Sequence, residues 1–175
     1  TLGRGAFLRC SHFNGILKLS ESLEVVPSLC FQDCTGLVGS LQIPEGVKNI
    51  ENNAFQNCKL LSGDLRIPDS VQIIGDDSFN QCGSLKGTLV IPSSVKQISR
   101  DAFAGTAFSA VYFTGSKVPT CNDEIGLPKD AVINVFDNFT GSEFCSYKVE
   151  TVDDISDNGK KKSKGLSKGA IAAIV

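Results

Sequence analysis

The sequence predicts an α/β repeat solenoid, in which stacked coils build a parallel β-sheet face with short helical or irregular turns opposite. Three observations carry this expectation. Phe7, Phe31, Phe55, Phe79 and Phe103 recur every 24 residues, and Cys10, Cys34, Cys58 and Cys82 recur at the same interval three residues behind them. Each of three units also holds a short alternating stretch: Leu41-Gln-Ile43-Pro44, Leu65-Arg-Ile67-Pro68 and Leu89-Val-Ile91-Pro92. A fixed period of this length marks stacked units, none of which can bury its apolar face alone.

Each element follows from the residues in turn. The two aliphatic side chains of a Leu-x-Ile stretch fall on one face of a period-two strand, and the proline stops it. Copies stacked in parallel about 4.8 Å apart form a continuous sheet over a continuous core. Val47 with Ile50, Val71 with Ile74 and Val95 with Ile98 supply the next inward layer. The small residue before phenylalanine (Cys30, Ala54, Ser78, Ala102) opens a compact turn or short helix, and the phenylalanine anchors the two sides. The first strand unit, Leu17-Lys-Leu19-Ser20, lacks the proline, and after Phe103 the cysteine position holds Thr106. Phe108-x-x-Val111-Tyr-Phe113 makes a last strand, so the array is expected over 1–117, beginning inside a unit and with further repeats upstream.

From Val118 the period is lost, yet Val132, Ile133, Val135, Phe136, Phe139, Phe144 and Tyr147 still require burial, so 118–152 is expected to form a C-terminal cap. Cys121 and Cys145 stand outside the cysteine ladder. A disulfide between them would close a loop of about 25 residues, worth roughly 3 kcal/mol; two buried thiols are the other reading. Asn138-Phe-Thr140 is an N-x-S/T sequon, which makes Asn138 a candidate glycosylation site. Residues 153–168 read as a flexible basic linker, and 169–175 are an uninterrupted apolar stretch, read as the start of a truncated transmembrane helix. An ordinary terminus and a basic membrane-surface or nuclear-import patch are the competing readings of this tail. Lysines beside a span favour its cytoplasmic side, which opposes an outside position for the repeats unless the far side is more basic.

Composition narrows the function. The chain of 175 residues is 41% apolar and 21% charged with net charge −2, so it lacks the positive field that nucleic-acid binding requires. It has one histidine, no tryptophan and no methionine, and no phosphate-binding or EF-hand loop. His12 is expected in solvent with no nucleophile or orienting acid beside it, so no catalytic residue and no cofactor is expected. The ladder cysteines are singles, apart from Cys30-x-x-x-Cys34, whereas zinc sites use paired short spacings, so they read as buried structural residues and no metal site is expected. What remains is surface. The residue between the two inward side chains of each strand faces out, giving the row Lys18, Gln42, Arg66, Val90 and Tyr112, flanked by Ser40, Asp64 and Thr88. Such a row suits protein or glycan recognition.

The order F-x-x-C-x-x-L, then L-x-I-P, then V-x-x-I, resembles the leucine-rich repeats of the BspA-like family of bacterial and protist surface proteins, over roughly residues 1–120. The resemblance implies a non-catalytic, membrane-anchored surface protein with extracellular repeats. It would adhere to proteins or glycoproteins of a host cell, matrix or neighbouring cell through its sheet face. In protist members the repeats commonly precede one membrane span, which the order of segments here matches. The alternative is a cytoplasmic leucine-rich-repeat scaffold or adaptor with reduced cysteines.

Overall fold

The computed structural model describes residues 1–152. Thirteen short strands follow one another: β1 (Gly15–Lys18), β2 (Val25–Val26), β3 (Leu37–Gln42), β4 (Asn49–Ile50), β5 (Leu65–Arg66), β6 (Ile73–Ile74) and β7 (Thr88–Ile91), then β8 (Gln97–Ile98), β9 (Ala110–Phe113), β10 (Thr120–Cys121), β11 (Val132–Val135), β12 (Glu143–Phe144) and β13 (Tyr147–Thr151). Successive coils contribute alternately to two walls. One is the parallel sheet β2-β4-β6-β8-β10; the other runs β5-β7-β9-β11-β13, with β12 on its edge. The pair β1-β3 extends the second wall through a parallel bridge between Gly39 and Leu61. The inward aliphatic residues expected from the pattern, Leu41, Leu65, Leu89, Val47, Val71, Ile50, Ile74 and Ile98, are all buried between the walls.

The third side of each coil holds the phenylalanine, and here the helical part of the expectation is corrected: among the described residues there is no helix. The reason lies in two further ladders. Gly5, Leu29, Asn53, Asp77 and Asp101 stand two residues before the phenylalanines, and Arg9, Asp33, Asn57, Gln81 and Gly105 two after, and all have positive φ. Left-handed residues four apart, one on either side of each phenylalanine, interrupt any right-handed helix. The amide groups therefore alternate. Phe31 N–H donates to Ala54 O of the next coil (2.9 Å) and Asp33 N–H to Gln56 O (2.9 Å), whereas Cys34 N–H closes a tight turn onto Phe31 O (3.2 Å). The fold is thus a β-solenoid of stacked β-turns and short strands.

The rings of Phe7, Phe31, Phe55, Phe79 and Phe103 stack with centroids 5.3, 5.4, 5.4 and 5.8 Å apart. The cysteine ladder has its own reason. Cys34, Cys58 and Cys82 each point a thiol at the carbonyl of the phenylalanine one coil earlier, Phe7, Phe31 or Phe55, at 3.0, 3.1 and 3.1 Å. A small, weakly donating side chain fits that buried position. Where the ladder ends, the Thr106 hydroxyl donates instead to Phe103 O in its own coil (2.6 Å).

Beyond residue 117, where a cap is expected, strand pairing continues. The sheet does not stop at Phe113: Val111 of β9 faces Ile133 of β11, which faces Val149 of β13, all in parallel. β10 likewise continues the other wall from β8. Strand pairing needs a matched register but no constant coil length, so shorter coils extend the stack after the 24-residue period is lost. The stack ends in an antiparallel hairpin, β12–β13, whose two turn residues Cys145 and Ser146 both have positive φ (48° and 69°), as a type I′ turn requires. Phe113 packs against Phe144 (4.7 Å between centroids) and edge-on to Phe139 beneath it.

The stack makes a graded prediction. Phe55→Ala, at a fully buried ring between two others, should lower stability by about 3–5 kcal/mol. Ile73→Ala, on the outer face and partly exposed, should cost no more than about 1 kcal/mol. Urea unfolding of both variants checks the difference.

Candidate functional site

The second wall carries the expected outward row. Strand register sets Lys18 beside Gln42, Arg66 beside Val90, and Val90 beside Tyr112. It then continues the row to Asn134 and Glu150, which the sequence reading missed. The signal was present in Ile133-Asn134-Val135, which has the same in-out-in alternation as Leu41-Gln-Ile43 but lies outside the period.

Exposure divides the row in two. Lys18 and Gln42 are exposed and Arg66 is half-buried. Val90 and Tyr112, expected as exposed contact residues, are only 6% and 3% exposed, because they form a separate apolar cluster with Phe136 and Val152 on the outer face of the sheet. This corrects the expectation for those two positions. Asn134 is half-buried and donates its side-chain amide to Val111 O (3.0 Å), and Glu150 is exposed.

The exposed half is polar and tethered. The Arg66 guanidinium pairs with the Glu45 carboxylate and reaches Asp69 at 3.8 Å, so its orientation is held by acids of the following turns. Among the flanking residues Ser40 is exposed, while Asp64 accepts the Thr88 N–H at 2.6 Å and is engaged in joining two coils. That bond needs Gly87: a Cβ there would lie 2.2 Å from the Asp64 carboxylate. Beside the row, Ile16 and Val38 face each other across β1 and β3 with 75% and 38% exposure. Lys18, Gln42, Arg66 and Ser40, with Ile16 and Val38, therefore make one mixed polar and apolar surface.

Other groups have structural surroundings. His12 is exposed. Among the described residues no group of three or more His, Cys, Asp or Glu side chains is placed to hold a metal ion. Burial pushes the Cys34 thiol up to about 11 and the Cys82 thiol up to about 12, and raises Cys58 further, so these three thiols are protonated near neutrality. Cys121 at the end of β10 and Cys145 at the hairpin tip are joined as a disulfide with their Cα atoms 5.6 Å apart. Asn138 lies exposed in the loop before the hairpin, and the hydroxyl of Thr140 donates to Ser116 O (3.0 Å). The linker and apolar stretch expected over 153–168 and 169–175 lie outside the described residues.

A stack of parallel coils with an outward recognition-type row and buried, protonated thiols defines a repeat-scaffold protein. The chain belongs to the BspA-type leucine-rich-repeat family, whose model matches residues 1–124 in six copies. Proteins of leucine-rich repeats are generally non-catalytic and generally bind other proteins. The chain is also similar to the crystal structure of a leucine-rich repeat protein from Bacteroides ovatus, with 15% identity, a TM-score of 0.35, and coverage of 87% of this chain. It spans 55% of that structure's length. No curated protein matches the sequence.

The thiol environment sets a pH dependence. A thiol whose folded pKa stands above its unfolded value stabilises the fold below the unfolded pKa and loses that contribution as pH rises toward the folded one. The urea midpoint should therefore hold steady up to pH 9 and fall between 9 and 12, a fall that Cys82→Ala should reduce. Alkylation of the native chain at pH 8 should spare Cys58 and Cys82 and reach them on unfolding.

Proposed function

We propose that the chain is a non-catalytic cell-surface recognition module that binds a protein or glycoprotein of a host cell, matrix or neighbouring cell. The contact is made by the exposed half of its sheet row, Lys18, Gln42, Arg66 and Ser40. One observation carries this reading: the polar row runs along the second wall, from the β1–β3 pair to β5 across the Gly39–Leu61 bridge, beside the exposed Ile16 and Val38, so polar anchors and apolar area share one face. Family membership supports it, since leucine-rich repeats generally bind proteins.

The surface location rests on the C-terminal half. The Cys121–Cys145 pair suits an oxidising compartment, and Asn138 is accessible for glycan addition. An anchor in the segment after 168 belongs to the same reading. The five unpaired ladder and core cysteines are equally compatible with a reducing cytoplasm, where the chain would serve as a scaffold or adaptor.

Two measurements test these points. Labelled protein should bind cells or matrix, and the combined variant Lys18→Glu, Gln42→Ala, Arg66→Glu should lower that affinity about tenfold or more while the fold is retained. Unchanged binding removes the row from the contact. Non-reducing peptide mapping of the protein from its native cells should find Cys121 linked to Cys145 and glycan on Asn138. Free thiols with a bare Asn138 would favour the cytoplasmic adaptor. Reducing the bond in the purified chain should lower stability by roughly 3 kcal/mol.

A further inference from the structure

We infer that Asn138 accepts glycan only while the chain is open, so that docking of the last coils closes the modification site. The inference rests on the surface reading above and adds an order of events to it. Asn138 lies in the loop that joins β11 to β12, and it is exposed. The residues around it are held. Phe139 N–H donates to Phe136 O (2.8 Å), which places Asn138 at the third position of a tight turn. The half-buried Phe139 ring meets Phe113 edge-on, with centroids 6.1 Å apart. Thr140 spends both of its donors on one acceptor: its N–H and its hydroxyl each reach Ser116 O, at 2.9 and 3.0 Å. Ser116 stands 24 residues earlier, so the sequon is fastened to the preceding coil.

The acceptor signal includes the hydroxyl two residues after asparagine, so a transferring enzyme must read that group together with the amide. A hydroxyl has one proton to donate, and in the folded chain Thr140 gives it to Ser116 O. Reaching the enzyme therefore means undoing the turn, the two Thr140 bonds and the ring contact together. The Cys121–Cys145 bond adds to this, because its ends lie on either side of the loop and limit how far it can swing out. A glycan already in place does not obstruct closure, since Asn138 is exposed in the closed form. The step itself transfers a saccharide from a polyprenyl-pyrophosphate donor. The bond between Asn138 Nδ2 and the sugar C1 forms as the C1–O bond breaks; the amide gives up one proton, and the polyprenyl pyrophosphate leaves with the bonding pair. Each coil docks on its neighbour alone, so the time open to the enzyme ends when the segment 113–145 closes. Occupancy at Asn138 is set by the race between transfer and this closure.

The test compares two states of the full chain, each given a purified oligosaccharyltransferase and its lipid-linked glycan. One state is the folded protein with Cys121 joined to Cys145. The other is reduced and alkylated in denaturant and then returned to buffer; alkyl groups on Cys34, Cys58 and Cys82 have no room in those fully buried positions, so this chain stays open. Peptide mass mapping should show Asn138 modified about tenfold faster or more in the alkylated chain than in the folded one. A synthetic peptide of residues 132–144 should be modified as readily as the alkylated chain. The inference is overturned if the folded chain is modified as fast as the alkylated one, or if neither the alkylated chain nor the peptide is modified. The two readings fail separately. A bare Asn138 in protein from native cells counts against the surface location, whereas equal rates with purified components remove the order of events and leave the location untouched.

Discussion

From Phe7 to Phe103 each coil of this protein is held to the next at the phenylalanine turn, and the rest of the array depends on the geometry of that junction. Left-handed residues two before and two after each phenylalanine turn alternate N–H groups along the stack axis. Phe55 N–H reaches Ser78 O and Phe79 N–H reaches Ala102 O, both at 2.8 Å. These bonds set the coil spacing on the turn side, so the rings must stack at the same interval and the two walls must pair in parallel. Most of the left-handed positions hold Asp, Asn or Gly, residues that tolerate this conformation best. Their side chains also bond between coils, as Asn57 does to Asp33 at 2.7 Å.

A stack of this kind gains stability from neighbours only, so its last coil needs another means of closure. The chain closes there by changing strand direction. An antiparallel hairpin occupies the sheet edge, its type I′ turn carries Cys145, and the disulfide to Cys121 ties the second wall to the first. Phe113 and Phe144 pack against each other at this end, with ring centroids 4.7 Å apart. The coils before this closure are shorter than the others, the last spanning only from Ile133 to Val149.

The outer face shows the opposite economy. Its exposed half consists of side chains whose positions are already restrained: Arg66 by Glu45 and Asp69, and the neighbouring Asp64 by Thr88. Surface ion pairs of this kind add little stability, but they reduce the freedom an arginine loses on binding. The buried half is apolar and lies where the closing strands meet the face. One wall therefore carries two surfaces of different chemistry, separated between Arg66 and Val90.

The sequence by itself determined the period, the inward aliphatic layers, the stacked phenylalanines and the structural cysteines, because each is a repeated local pattern that has one way to be buried. It also pointed to the row from Lys18 to Arg66, since strand alternation decides which side chain faces out. Tertiary structure decided the rest. A left-handed φ at Leu29, Arg9 or Gln81 is set by bonding to the next coil rather than by residue type, so a turn and a short helix could not be told apart from composition. The continuation of the sheet through β11 and β13 depends on pairing between strands of unequal spacing, which no period displays. The burial of Val90 and Tyr112 depends on Phe136 and Val152, residues distant in the chain that meet them only when the last coils are in place.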